Sequence, residues 1–464
     1  MPTTLLIKIR DRRCSLIAVF LLVALWGTTT DRATAAEPTT SPQRPNMLVI
    51  FSDDHVFGTM GCSGNKAIHT PHLDRLAATG LRFTTATVPS PVCVASRASI
   101  LCSLYPQQHG STFLNTQPFL QKVRETELKT LPQLFAEADY VTGHCGKTHM
   151  GNPRENLGFQ YGQDYDKKHE QQIFACAENF LEKHGRAGQP FLLWVAPNRP
   201  HVPLRPPQKW LDFYKPENMP VAPNFMENPP TSSLVNQGKP GEIGHPWDKR
   251  IRPKTREEAQ QVTAKYYGEI SAMDEQIGNL LKKLADLGIE KNTIVIYLSD
   301  NGYHLGNHGL TNKLVMYEES IRVPFIIRYP SVIHAGQVSR ELVSSLDLMP
   351  TLLDFAGLPV PEGLEGKSLK PLLTGQKTHL RNEVFSECCA VTGLGMGHRM
   401  VRTQQWKYML SDVNEEGLFD LKNDPFEMNN LAQNSAAHQP LKQLRNKLAN
   451  WMDRIGDTHE RPPR

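Results

Sequence analysis

Two short, strongly apolar runs, each broken at once by acidic residues, constrain this chain more than any other feature. Met47-Leu48-Val49-Ile50-Phe51 ends in Ser52-Asp53-Asp54, and Thr293-Ile294-Val295-Ile296-Tyr297-Leu298 ends in Ser299-Asp300-Asn301-Gly302. A strand apolar at nearly every position is buried on both faces, as in a parallel sheet covered by helices. Open α/β sheets form their sites beyond the carboxyl ends of such strands. The pattern predicts an α/β fold in which Asp53, Asp54, Asp300 and Asn301 converge at one end of the sheet.

The flanking sequence supplies the covering helices. Arg256 to Leu287 reads as the longest, with Thr255 and Glu258 as a capping box and Gly288 as the stop. Its apolar positions Val262, Tyr266, Ile270, Met273, Ile277, Leu281 and Leu284 recur every three to four residues. Residues 70–80 read as a short helix, and 190–197 and 323–330 as further core strands. The stretch 203–253, crowded with Pro, Asn and Gly, reads as an irregular surface excursion. A helix at 346–357 precedes a change of texture. Short strands at 383–387, 406–410 and 417–421 and a closing helix at 435–455 then predict a smaller α+β module with an antiparallel sheet. The expected boundaries are 46–374 for the large domain and 375–464 for the small one.

Residues 1–35 are expected to be a signal peptide. Lys8, Arg10, Arg12 and Arg13 form a basic region, Ser15 to Trp26 an apolar core, and Ala33-Thr34-Ala35 a cleavage site. Residues 36–45 read as a linker, and no later stretch is apolar enough to span a bilayer, so an exported, periplasmic or secreted, protein is expected. The leader carries five basic and two acidic side chains, so the formal charge of +4 falls to +1 without it. A nearly neutral chain has no bulk attraction for nucleic acid, and any anion must be met by a local cationic cluster. Of eight cysteines, Cys14 lies in the leader, and the remaining seven, irregularly spaced, are no dense disulfide framework.

Three carboxylates and an amide at one place repel one another unless a cation sits between them. Hard oxygen donors without His/Cys ligand spacing favour calcium, or magnesium, over zinc. The alternative is that each acidic pair caps a turn. Cationic side chains occur in similar settings: Lys147 and His149 in a glycine-rich loop, His201 between prolines after a strand, and His304, His308 and Lys313 behind the second acid cluster. Taken singly, each reads as a solvated or structural residue. A zinc pair from His304 and His308 is disfavoured, because Gly302, Gly306 and Gly309 argue against a helix presenting both.

One further string gives these residues a common meaning. Cys93-Val94-Ala95-Ser96-Arg97 resembles the signature of type I sulfatases, members of the alkaline phosphatase superfamily. Ser52-Asp53-Asp54, Gly146-Lys147-Thr148-His149, Pro200-His201-Val202-Pro203, Ser299-Asp300-Asn301-Gly302, Lys313 and the tail 418–432 follow the family's order. The resemblance implies that Cys93 is oxidised to formylglycine. Its hydrate would attack sulfur through one hydroxyl, and the second would let the sulfated intermediate collapse without water attacking again. It implies Asp53, Asp54, Cys93, Asp300 and Asn301 around a calcium ion. It also implies Arg97 and His149 on the hydrate, Lys147 and Lys313 on the sulfuryl oxygens, and His201 at the departing alcohol. Ala95 stands where the commonest signature has proline, which resembles the variant that some bacterial maturases accept. The implied partners are a sulfated small molecule or oligosaccharide and a formylglycine-generating maturase. Loops 203–253 and 388–400, with Gly397-His398-Arg399, are the candidates for selectivity. The competing readings are a phosphodiesterase or phosphonate monoester hydrolase of the same superfamily, and a non-catalytic protein that binds sulfated glycans.

Overall fold

The computed structural model describes residues 44–150, 154–163, 170–235, 252–389 and 397–463. The expected leader and residues 36–43 of the expected linker lie outside them. Residues 44–464 form one compact unit.

Its centre is an eight-stranded sheet in the order Gln337–Ser339, Leu81–Phe83, Phe325–Arg328, Thr293–Ser299, Asn46–Ser52, Phe191–Ala196, Val141–Gly146, Tyr161–Gln163. Only Phe325–Arg328 runs against its neighbours. The two strands that define the sequence pattern are adjacent, parallel and in register, from Asn46 opposite Thr293 to Ser52 opposite Ser299. Alternation sends their side chains to opposite faces. Met47, Val49, Phe51, Ile294, Ile296 and Leu298 enter one core with the helix Cys93–Cys102. Leu48, Ile50, Val295 and Tyr297 enter the other, beneath the helices Glu170–His184 and Arg256–Asp286. Each such side chain contributes roughly 1.5–3 kcal/mol on burial. A single turn hydrogen bond is worth about 1 kcal/mol. The sheet, not the turns, therefore holds the acidic strand ends in place.

The long helix departs from its expected pattern in two details. Thr255 accepts from Glu258 N, but the Glu258 carboxylate reaches back to Lys254 N instead of Thr255 N. Leu280 is fully buried where the periodicity pointed to Leu281, which is half-buried. The expected surface excursion is also partly core. Trp210 and Tyr214, on and after the short helix Gln208–Phe213, pack with Met219 against Tyr266, Tyr267 and Ile270. Residues 236–251 lie outside the described ones.

The C-terminal sheet is antiparallel, in the order Val384–Cys388, His398–Arg402, Trp406–Ser411, Glu416–Asp420. The closing helix His438–Ile455 covers it through Leu441, Leu444, Leu448, Trp451 and Met452. The strand His398–Arg402 is absent from the sequence reading, because its charges hide it. Arg399 is buried between Asp457, 2.7 Å away, and Asp412, 2.5 Å away. Arg399 is therefore a structural ion pair and not part of a pocket rim. Of the seven cysteines, Cys145 and Cys176 form a disulfide between the strand next to one edge of the large sheet and the helix beside it. Cys62, Cys93, Cys102, Cys388 and Cys389 are thiols.

Candidate active site

The two strand ends deliver Asp53, Asp54, Asp300 and Asn301 side by side, and all four are fully buried. Asp54 adopts a left-handed backbone, φ 67°, uncommon for a non-glycine residue. Its neighbours hold it there. Asp54 N donates to Asp300 Oδ1 at 3.1 Å, and Tyr266 Oη donates to Asp54 O at 2.5 Å. Tyr266, one of the apolar stripe in the sequence, thus carries a polar tip into the site.

The helix Cys93–Cys102 aims at the same point. Cys93 is its first residue and is buried. Ser96 Oγ donates to Asp300 O at 2.5 Å. Arg97 Nε donates to Asp300 Oδ2 at 2.9 Å, Nη1 to Lys147 O at 2.9 Å, and Nη2 lies 3.6 Å from Asp53 Oδ1. The guanidinium also sits over the Phe51 ring, 4.9 Å from its centroid. Burial pushes the Cys93 thiol pKa up, with Lys313 and Lys147 opposing and Asp300 and Asp53 adding. A thiol held in its protonated form is a poor nucleophile.

Four more cationic or basic groups belong to the site. Lys147 Nζ lies 2.5 Å from Asp53 Oδ2. It follows Gly146, where a Cβ would fall 2.1 Å from Ala196 O at φ 112°, so only glycine lets the strand end approach so closely. Lys313 is ion-paired with Asp54, and burial lowers its pKa less than Asp54 and the other acidic groups around it raise it. His201 Nδ1 lies 2.6 Å from Val202 O, so Nε2 faces the acids, 3.5 Å from Asp54 Oδ2. Burial pulls its pKa down to about 4 against the pull of Asp54 and Asp53. His149 is exposed, two residues past Lys147. Partial desolvation of its ring, followed by Lys147 and Arg97, lowers its pKa.

The carboxylates divide. Burial raises the Asp53 pKa, but Lys147, His201, Arg97 and Lys313 together hold it well below the usual range. Asp300 is pushed up to about 6, first by burial, with Arg97 opposing and Asp53 adding. Asp53 Oδ1, Asp54 Oδ2 and Asn301 Oδ1 are buried and accept no hydrogen bond, a costly state for polar oxygen. Single ligand atoms of Asp53, Asp54 and His201 lie within 4.8 Å of one another. The three unpaired oxygens of Asp53, Asp54 and Asn301 suit a hard divalent cation. Asp300 is more heavily engaged, because Oδ1 accepts from Asp54 N and Asn301 N while Oδ2 accepts from Arg97.

Other sequence candidates fall elsewhere. His304 lies against Ser320 at 3.0 Å, and His308 stacks on Tyr317 with ring centroids 3.8 Å apart. His308, Glu319 and Glu427 form a second cluster, but buried Lys407 pairs with Glu427 and Asn224 donates to Glu319 at 2.7 Å. His398 lies 3.2 Å from Leu314 O, so the C-terminal sheet backs the segment that carries Lys313.

Residues 45–358 match the sulfatase family model. The chain belongs to the sulfatase family. It is accordingly a sulfuric ester hydrolase with the alkaline-phosphatase-like fold. Residues 306–454 match the model described as N-sulphoglucosamine sulphohydrolase, C-terminal. The sulfatase is 30% identical to an N-acetylglucosamine-6-O-sulfatase of Bacteroides thetaiotaomicron, over 84% of this chain and 83% of that one. It is 28% identical to an ulvan-active sulfatase of Formosa agariphila, over 92% and 84%. A structure solved in complex with its substrate D-glucosamine-2-N,6-O-disulfate superposes with a TM-score of 0.78 at 26% identity, covering 89% of this chain and 99% of that one. No helix among the described residues of the sulfatase is long and apolar enough to cross a membrane.

Proposed function

We propose that this sulfatase is exported and removes sulfate from a sulfated carbohydrate, using formylglycine made from Cys93 and one calcium ion. The observation that carries this reading is the interleaving of Asp53, Asp54 and Asp300 with Arg97, Lys147 and Lys313 around Cys93. Three carboxylates against three fixed cations balance, so a bound divalent cation leaves an excess of positive charge for a sulfate group.

Asp53, Asp54, Asn301 and, in exchange for its bond to Arg97, Asp300 would hold calcium, beside the modified side chain of residue 93. When bound, calcium supplies a Lewis acid for a sulfuryl oxygen, and the aldehyde hydrate supplies an oxygen nucleophile. Arg97 would hold that hydrate, and His149 would hydrogen-bond the hydroxyl that later loses its proton. Lys147 and Lys313 would balance charge shifting onto the sulfuryl oxygens, and His201 would assist the departing alcohol. Residues 46–374 would form the catalytic part. Residues 375–464 would buttress it through contacts such as His398 on Leu314 O. Export is supported by the leader pattern and by the Cys145–Cys176 disulfide, which persists in oxidising compartments. The carbohydrate class is supported by relatives that act on sulfated glucosamine and ulvan. Turnover of a panel of sulfated mono- and oligosaccharides, beside an aryl sulfate, an aryl phosphate and an aryl phosphonate, tests the proposal. Faster turnover of the phosphonate or phosphate than of every sulfate would refute it.

A further inference from the structure

Glu269 lies one helical turn from Tyr266 on the long helix, and the two side chains reach different parts of the site. Tyr266 holds the backbone at Asp54 and Val56. Glu269, itself buried, accepts from Arg199 Nε with one oxygen and from Arg205 N with the other. Arg199 and Arg205 are the two ends of the loop that carries His201. The helix comes close to that loop because residue 268 is glycine. A Cβ there would lie 2.9 Å from Pro206 Cβ.

The start of the loop is tied on its other side as well. Glu170 Oε2 accepts from Asn198 N at 3.1 Å, and Asp53 N donates to Arg199 O at 3.2 Å. His201 N donates to Asn198 O at 3.0 Å. The imidazole is left with Nε2 3.5 Å from Asp54 Oδ2. Its height over the acid cluster is therefore set by where Arg199 and Arg205 are held.

We propose that Glu269, through Arg199, is a positioning residue for His201 and so sets how well the enzyme expels poor leaving groups. This rests on the proposed role of His201 at the departing alcohol. A poor leaving group such as phenolate or a sugar alkoxide builds more charge on its oxygen than 4-nitrophenolate does. It therefore depends more on a correctly placed side chain at that oxygen, and misplacement by about 1 Å can cost on the order of a hundredfold.

The test compares kcat/KM for phenyl sulfate and 4-nitrophenyl sulfate, with thermal melts, in the full-length mature enzyme and in Glu269→Gln, His201→Ala and the double variant. Glutamine keeps the volume and the acceptor for Arg205 N but cannot form the ion pair with Arg199. Glu269→Gln should lose about tenfold or more on phenyl sulfate and less than about threefold on 4-nitrophenyl sulfate. Arg199→Gln should reproduce that difference, and the double variant should be no worse than His201→Ala alone. Equal losses on both esters, or a double variant showing the product of the two single losses, would overturn the proposal. A His201→Ala enzyme with equal losses on both esters would instead remove the leaving-group role from His201. Additivity would then decide Glu269: a non-additive double variant keeps it as the residue that places His201, and an additive one removes it.

Discussion

Asn301 Nδ2 donates to Asp54 Oδ1 at 2.6 Å, across the ends of two neighbouring strands whose residues are 247 positions apart in the chain. The other oxygens of the pair, Asn301 Oδ1 and Asp54 Oδ2, are buried and accept no hydrogen bond. A bound divalent cation would satisfy both. Calcium should therefore stabilise the fold as well as support turnover. At a hundred times its Kd it should add about 2.7 kcal/mol, and Asn301→Ala should lose most of that gain. Melts of metal-stripped protein with and without calcium measure it, independently of activity. Identical wild-type melts would show the acid cluster to be purely structural.

Lys313 pairs with Asp54 in the same buried space. Its replacement by alanine should lower kcat/KM on an aryl sulfate by about a hundredfold, on the order of 3 kcal/mol of transition-state stabilisation. With calcium present to compensate Asp54, the melt should move little. An unchanged rate would return Lys313 to a structural role.

Cys93 should be found as formylglycine in active enzyme made by a host with a competent maturase. Mass spectrometry of the tryptic peptide ending at Arg97 reads the change directly. A wholly unmodified thiol in enzyme that turns over would sink the mechanism, and Cys93→Ala should abolish turnover while leaving the fold intact.

Away from the site, Asp274 caps the helix Pro71–Ala78, accepting from Leu73 N at 2.7 Å and His72 N at 3.1 Å. Burial pushes its pKa up to about 7 against those two bonds. The unfolded value is about 3.9, so between these values the folded state holds more protons than the unfolded state. Stability contributed by Asp274 is then complete below about pH 4 and is lost as pH rises through 7, by at most about 4 kcal/mol. Asn at this position keeps one acceptor oxygen, for Leu73 N, and cannot titrate. Urea midpoints of wild type and Asp274→Asn at pH 5 and pH 8 should differ in slope, with the variant flatter. Parallel pH profiles would place the titrating group elsewhere.

Much of this was legible because it is local. An apolar run that ends in acids announces a buried strand with a polar exit, and a capping residue followed by a 3.6-residue period announces a helix. Asn46–Ser52, Thr293–Ser299 and the helix Arg256–Asp286 are all of that kind. The strand His398–Arg402 is not. Its arginines are satisfied by Asp412 just after the next strand and by Asp457 and Glu318 far away in sequence, so the pattern looks polar while the strand is buried. Seven cysteines likewise do not say which two meet. Only the packing of the helix Glu170–His184 on the strand Val141–Gly146 brings Cys145 to Cys176.

The sequence by itself determined the chemical inventory: two acidic strand ends, a Cys-x-Ala-x-Arg string, and the lysines and histidines that accompany them. Tertiary structure decided which atoms of that inventory are spent on one another. It set Arg97 on Asp300, Lys147 on Asp53 and Lys313 on Asp54, and left oxygens of Asp53, Asp54 and Asn301 without donors. It also recruited Tyr266 and Glu269 from a helix whose pattern reports only its apolar stripe. The physical reason is that a hydrophobic period records which face a residue presents. Hydrogen bonds and ion pairs depend on which strand lies next to which, and that is settled by burying both faces of the sheet at once.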